Sequence, residues 1–199
     1  MEGAAMTVSI GVDIDDCIYP WYDRAHEWCI SDGLITSDTP RPSSWAPYEE
    51  YKIEAERWYE SLGRAAQQGS HLYLGPPMPG AVEALRKAVN HDIEVVLITA
   101  RGSFAHGHRI IELTKIWADL YVGDLYADLH FTRKKGPLAK LLDIDYAIDD
   151  SGNNVTSYEG VGIPCALKSA TWNKDLEANW PVDHIEEFVD GVIAREELA

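Results

Sequence analysis

The sequence predicts an α/β fold: a parallel sheet with helices on both faces, a three-layer sandwich, and a helical cap inserted after the first strand. Three observations predict it. Short apolar β-type runs alternate with helical periodicities along the 199 residues, the pattern of a parallel sheet with right-handed crossovers. Several runs end in polar or charged residues, so one edge of the sheet gathers chemistry. Between the first run and the first core helix lies a stretch of different texture, residues 19–79, with four of the seven tryptophans.

Val8 to Ile18 reads V-S-I-G-V-D-I-D-D-C-I. Val8, Ile10, Val12 and Ile14 alternate along a length that suits a buried strand. Asp13, Asp15 and Asp16 crowd its end. Like charges this close raise the cost of ionising one another. A divalent cation removes that cost, and hard oxygen ligands at this density suit magnesium. Taken alone, the three residues could also be an acidic turn.

Tyr19-Pro20-Trp21-Tyr22 leads into a helix ending near Gly33. Thr36 to Pro47 is a Pro/Ser-rich loop broken by Pro40, Pro42 and Pro47. Tyr48 to Gln68, closed by Gly69, reads as one long helix. Residues 19–79 are thus expected to form the cap, and residues 1–18 and 80–199 the core. Gly75 to Gly80 makes a stiff return. Ala81 to Asn90 is a helix with Val82, Leu85 and Val89 spaced for one buried face. Ile93 to Ile98 is the second strand and ends in Thr99-Ala100-Arg101-Gly102. His106 to Leu120 is a helix with Ile110, Leu113 and Trp117 on one side. Leu129 to Phe131 is the third strand. Arg133-Lys134-Lys135-Gly136 precedes a helix from Pro137 to Leu142, where proline suits the first turn. Asp145 to Ile148, the fourth strand, runs into Asp149-Asp150. Gly152 to Tyr158 is a short helix and Ile163 to Leu167 the fifth strand. Pro181 to Leu198 closes the chain as an amphipathic helix with Val182, Ile185, Val189 and Val192 or Ile193 inward.

Composition narrows the function classes. A hydrophobic share of 46% with 25% charged residues is that of an ordinary globular protein. No apolar run approaches the roughly 18 residues needed to span a bilayer. The start Met1-Glu2-Gly3-Ala4-Ala5 lacks the basic region and apolar core of a signal peptide, so no membrane partner and a cytoplasmic location are expected. Cys17, Cys29 and Cys165 are few and widely spaced, which fits reduced thiols. A net charge of −16 opposes polynucleotide binding. A small phosphorylated molecule carried with its own cation is compatible with that charge.

In a parallel sheet all strand ends share one edge, which here collects Asp13, Asp15, Thr99, Lys135, Asp149 and Asp150. Cleaving a phosphate monoester through a covalent intermediate needs a carboxylate nucleophile and a second carboxyl group to protonate the leaving alkoxide. It also needs cationic charge on the transferring group and a hydroxyl with nearby amides for a phosphate oxygen. The edge has a candidate for each role.

The same residues carry a resemblance. Asp13-Ile14-Asp15-Asp16-Cys17-Ile18 resembles the D-x-D-x-[TV] signature of the haloacid dehalogenase-like (HAD) superfamily of phosphatases. Leu97-Ile98-Thr99, Lys135 (or Lys134) and Ala147-Ile148-Asp149-Asp150 resemble its second, third and fourth motifs. The ordered set spans Val8 to Asp150. Within the superfamily the chain is most similar to the 5′(3′)-deoxyribonucleotidase group, through Thr99-Ala100-Arg101, Thr132-Arg133-Lys134-Lys135, Ile148-Asp149-Asp150 and Trp172-Asn173-Lys174. The resemblance implies a HAD-like Rossmannoid fold with Asp13 as nucleophile and Asp15 as acid/base. It implies phosphate binding by Thr99 and Lys135, with Ala100, Arg101 and Asp16 also at the substrate. It implies Mg2+ on the Asp13 carboxylate, the Asp15 carbonyl and Asp149, with Asp150 close by. Asp16 replaces the usual glycine and Cys17 the usual threonine or valine. Asp150 could instead cap the following helix, and Arg101 could be a structural salt bridge.

The expected function is therefore a magnesium-dependent 5′-nucleotidase acting on (deoxy)nucleoside monophosphates, with Trp21, Tyr22 or Trp45 stacking the base. A polynucleotide 3′-phosphatase shares the core motifs but conflicts with the acidic balance. A catalytically idle phosphate-binding protein is the reading from another class. The aromatic-rich cap could also serve as a homodimer interface.

Overall fold

The computed structural model describes residues 8–103 and 106–198. Residues 1–7 and 199 of the expected core, and the pair 104–105 ahead of the expected helix at His106, lie outside them. Among the described residues six strands form one sheet: β1 (Ser9–Val12), β2 (Glu94–Thr99), β3 (Asp128–Phe131), β4 (Tyr146–Asp149), β5 (Cys165–Lys168) and β6 (Pro181–Val182). Their order is β3-β2-β1-β4-β5-β6 and every pairing is parallel. The chain fills one side of β1 first and then crosses to the other. That reversal opens a crevice beyond the carboxyl ends of β1 and β4, where open α/β sheets bind ligands.

Alternation along the central strands builds two cores. Val95 and Leu97 of β2, Ile148 of β4 and Ala166 of β5 face α5 (Ala81–Asn90), α9 (Ile185–Glu196) and Trp117 of α6 (Gly107–Tyr121). Val96, Ile98, Ala147 and Cys165 point the other way, onto α7 (Lys135–Leu141) and α8 (Gly152–Glu159). Helices thus cover both faces, as a fully buried parallel sheet requires.

Between β1 and α5 stand four helices: α1 (Trp21–Ser31), α2 (Pro47–Glu50), α3 (Ala55–Gln68) and α4 (His71–Leu74). They share a third apolar cluster, in which Trp28, Trp58, Leu62 and Leu72 pack with Ile110 and Leu113 of α6. Inside it Trp28 Nε1 donates to Ser61 Oγ at 2.9 Å. Tyr19 ties the base of this insertion. Its hydroxyl lies 2.7 Å from the His71 carbonyl and 2.9 Å from that of Leu72, and accepts from the Gly75 amide at 3.2 Å. Trp117 Nε1 donates to the Gly75 carbonyl at 2.9 Å.

The structure departs from the sequence expectations at four places. The single helix over Tyr48–Gln68 is two, α2 and α3, because Lys52 turns to φ 56°. The Ile53 amide then donates back to the Tyr48 carbonyl at 2.8 Å, a helix-ending loop that usually carries glycine. The short α4 was not expected. The closing helix begins at Ile185, and Pro181–Val182 instead extend the sheet beside β5. Proline is tolerated there because it opens an edge strand. The buried face of α5 is Ala81, Ala84, Leu85 and Ala88, while Val89 keeps 38% exposure. Small side chains let α5 sit close to α9. No helix among the described residues is long and apolar enough to cross a membrane.

Candidate active site

β1 delivers Asp13 to the crevice. Its amide donates to the Ile148 carbonyl at 3.1 Å, a last rung of the β1–β4 ladder that fixes the side chain at the sheet edge. The chain then turns: the Ile18 and Tyr19 amides both donate to the Ile14 carbonyl, at 3.0 and 2.9 Å. Asp16 takes φ 56° in this turn, which accounts for the glycine usual at that position. Aspartate tolerates the conformation better than most residues. The Asp16 carboxylate also accepts from the Tyr22 amide at 3.2 Å.

The first turn of α7 brings Lys135 under the same edge. Its Nζ lies 2.7 Å from Asp13 Oδ1 and 2.7 Å from Asp149 Oδ2, and the side chain is 1% exposed. Gly136 allows this approach, since a Cβ there would stand 2.1 Å from the Ser157 carbonyl oxygen. Asp149 is held on all sides: Oδ1 accepts from the Ser151 amide at 3.0 Å and from Asn154 Nδ2 at 2.9 Å. Asp150 accepts from Trp172 Nε1 at 3.0 Å, and Asn173 Nδ2 donates to the Asp150 carbonyl at 2.7 Å. The residue at the N-cap of α8 is Ser151 rather than Asp150.

The electrostatics follow from burial. Burial pushes the Asp13 carboxyl up to about 7; Lys135 works against that rise, and Asp149 and Asp15 add to it. Burial likewise holds Asp16 and Asp150 well above the usual carboxylate range, with repulsion from Asp15 and Asp149 respectively. Burial opposes the charge of Lys135, yet the flanking Asp13 and Asp149 carboxylates more than offset it and raise that group well above an ordinary lysine. The Cys17 thiol, buried beside them, is raised as well and is a poor ligand while protonated. Ligand atoms of Asp13, Asp150 and Cys17 lie within 4.8 Å of one another. Two hard carboxylates that burial and mutual repulsion keep from ionising fit a divalent cation.

Asp15 stands apart. Its Oδ1 accepts from Arg101 Nε at 2.8 Å and Nη2 at 2.6 Å. Thr99 is fully buried, and its hydroxyl accepts from the Arg101 amide at 3.2 Å. Ala100, Arg101 and Gly102 reach the cavity wall instead. Lys134 is exposed; its amide donates to Thr132 Oγ1.

Above the acids lies a cavity of about 250 Å³ whose floor includes Asp13, Asp15, Asp16, Asp150 and Lys135. Its walls are largely aromatic: Trp21, Tyr22, Trp45, Tyr48, Trp58, Tyr59, Tyr73 and Trp172. Tyr22 and Trp172 pack ring on ring with centroids 4.1 Å apart. A larger depression of about 740 Å³ lies at the opposite end of the strands, around Val8, Ile93 and Glu94. Asn154, Trp58 and Tyr73 carry no motif that marks them for the site in the sequence. Trp172 and Asn173 were visible only through a short resemblance, with no sign that they hold Asp150.

The chain shares its fold with solved structures of HAD-superfamily hydrolases. It is 18% identical to a HAD-superfamily hydrolase of subfamily IA from Geobacter sulfurreducens, with TM-score 0.57 over 92% of this chain and 98% of that one. A predicted phosphoglycolate phosphatase from Haemophilus somnus matches at TM-score 0.63 and 11% identity, covering 96% and 100%. A HAD-hydrolase from Bacillus subtilis, bound to magnesium, matches at TM-score 0.56 and 14% identity, covering 95% and 100%. No family model and no curated protein matches the sequence.

Proposed function

We propose that the chain is a magnesium-dependent phosphomonoester hydrolase that acts on nucleoside monophosphates. The observation that carries this reading is the contact of Asp13 with Lys135 at 2.7 Å, at the floor of an aromatic-walled cavity. One oxygen of Asp13 is engaged by Lys135 and by the Ile14 amide at 2.7 Å, which leaves the other to attack phosphorus. That attack forms the Asp13–phosphorus bond as the ester P–O bond breaks, and Asp15 gives its proton to the departing alkoxide. Water then attacks the aspartyl-phosphate, Asp15 takes its proton, and phosphate leaves with Asp13 restored. Lys135 neutralises charge on the transferring group. Magnesium would be held by Asp13, the Asp15 carbonyl and Asp150, with Asp149 bracing Lys135, and would supply further countercharge to the phosphoryl oxygens.

The cavity walls bear on the leaving group. Aromatic faces suit a flat base. Tyr22 adds a buried hydroxyl with no hydrogen-bond partner among the described residues, which a polar substrate edge could meet. The cavity's cations, Arg101 and Lys135, are both paired with carboxylates. A second anion on the substrate would therefore meet Asp16 and Asp150 without a free positive partner among the described lining residues. Structural neighbours described as phosphoglycolate phosphatases or as a heptose bisphosphate phosphatase make small anionic phosphates the reading to compare. The test is turnover of a panel of nucleoside monophosphates, phosphoglycolate and sugar bisphosphates, with magnesium and with chelator. Preference for nucleoside monophosphates is expected; preference for phosphoglycolate or a bisphosphate refutes the substrate half. Turnover that survives chelation refutes the metal.

A further inference from the structure

Arg101 invites a phosphate-binding role, because it follows Thr99 at the sheet edge and touches the cavity. Its surroundings argue for a different one. The side chain is 2% exposed. Nε and Nη2 both donate to a single oxygen, Asp15 Oδ1. Nη1 lies 3.4 Å from Thr114 Oγ1 on α6. The guanidinium carbon sits 4.6 Å from the centre of the Tyr19 ring and 5.8 Å from that of Trp117. With its Nε–Nη2 edge spent on Asp15, aromatic rings packed against it and 2% exposure, the group presents no open fork to a phosphate.

We infer that Arg101 is a positioning residue: it fixes the Asp15 carboxyl where the leaving-group oxygen departs and does not itself hold the phosphoryl group. This rests on the phosphatase reading above. A planar guanidinium gripping one carboxyl oxygen through two N–H groups leaves Asp15 little rotation. Oδ2 has no protein donor among the described residues, so it is the oxygen available to carry the proton. The side chain keeps 28% exposure and lines the cavity. The grip is itself anchored, since Tyr19 and Thr114 belong to the base of the cap and to α6. Arg101 therefore connects the proton-transfer group to rigid structure on two sides.

The distinguishing feature is leaving-group dependence. An alkoxide needs a proton to depart, whereas a nitrophenolate leaves without one. Arg101→Gln should lower kcat/KM for a nucleoside 5′-monophosphate roughly 100-fold, and for 4-nitrophenyl phosphate less than about 5-fold. Inhibition by inorganic phosphate should stay within about 2-fold, since the phosphate site is intact. Asp15→Asn should show the same split, and the double variant should be no worse than Asp15→Asn alone. Equal loss on both esters, or phosphate inhibition weakened in step with turnover, overturns the assignment. If Arg101→Gln gives no cooperative melt, Arg101→Lys carries the same comparison, because a lysine keeps the charge between the rings but cannot make the double contact. A wild-type protein inactive on both esters refutes the phosphatase reading and this assignment with it. An active wild type with uniform losses refutes the assignment alone.

Discussion

Replacing Asp13 with Asn should stabilise the metal-free protein while abolishing turnover, and the size of the gain can be worked out. Asp13 is 5% exposed, and its carboxyl is raised from 3.8 to about 7 chiefly by burial. A group raised on folding stabilises the native state fully below its unfolded value, and that stabilisation is lost as the pH climbs through the folded value. For Asp13 the loss begins near pH 3.8 and is complete above about 7. At 1.36 kcal/mol per pH unit, it amounts to about 4 kcal/mol at pH 8. Asparagine keeps the volume and never ionises, so it escapes this cost, in which the attraction of Lys135 is already counted. A net gain of about 2–4 kcal/mol at pH 8 is expected, shrinking towards zero near pH 4. For a chain of this length that is roughly 5–15 °C in melting temperature. Thermal and urea melts of both proteins in chelator, at pH 4.5, 6 and 8, measure it. A gap that does not widen with pH, or a wild type more stable than Asp13→Asn at pH 8, would refute the account of burial and repulsion.

Other outcomes follow from the same geometry. Magnesium should raise the melting temperature of the wild type more at pH 8 than at pH 5.5, because the ligands must ionise to bind it; Asp13→Asn should lose most of that response. Lys135→Met strands buried carboxylates and should cost about 3–5 kcal/mol by urea unfolding, with part of the loss recovered when Asp13→Asn is added. Gly136→Ala would drive a methyl against the Ser157 carbonyl at 2.1 Å. It should destabilise the fold by about 1–3 kcal/mol and lower kcat by displacing Lys135. Trp172→Ala should raise KM for a nucleoside monophosphate about 5- to 100-fold if the ring stacks the base; an unchanged KM would remove Trp172 from the substrate wall.

Strands and their polar ends were legible because burial on both faces leaves a simple apolar run, and the reversal at β1 makes those ends converge. Thus Asp13, Lys135, Asp149 and Asp150 could be grouped from sequence, although Asp13 and Lys135 are 122 positions apart. The division of labour within the group was not legible. Nothing local says that Asp149 is saturated by Lys135, Ser151 and Asn154 while Asp150 turns towards Asp13 and Trp172. Arg101 was ambiguous for the same reason: its partner Asp15 lies 86 positions away. The helix break at Lys52 was hidden because a lysine holds a backbone conformation that normally announces itself as glycine. Val182 was correctly placed inside but on the wrong kind of element, since one buried valine fits a strand and a helix alike.

The phenol of Tyr19 has a wider consequence. By bonding to both His71–Leu72 and Gly75, it draws the outgoing and returning chains together at one point on the rim of the sheet. An insertion whose two ends already meet behaves as a cassette: it can lengthen, shorten or be exchanged without reshaping the platform beneath it. Change in these four helices could thus reshape the cavity wall while the carboxylates at the sheet edge keep their places.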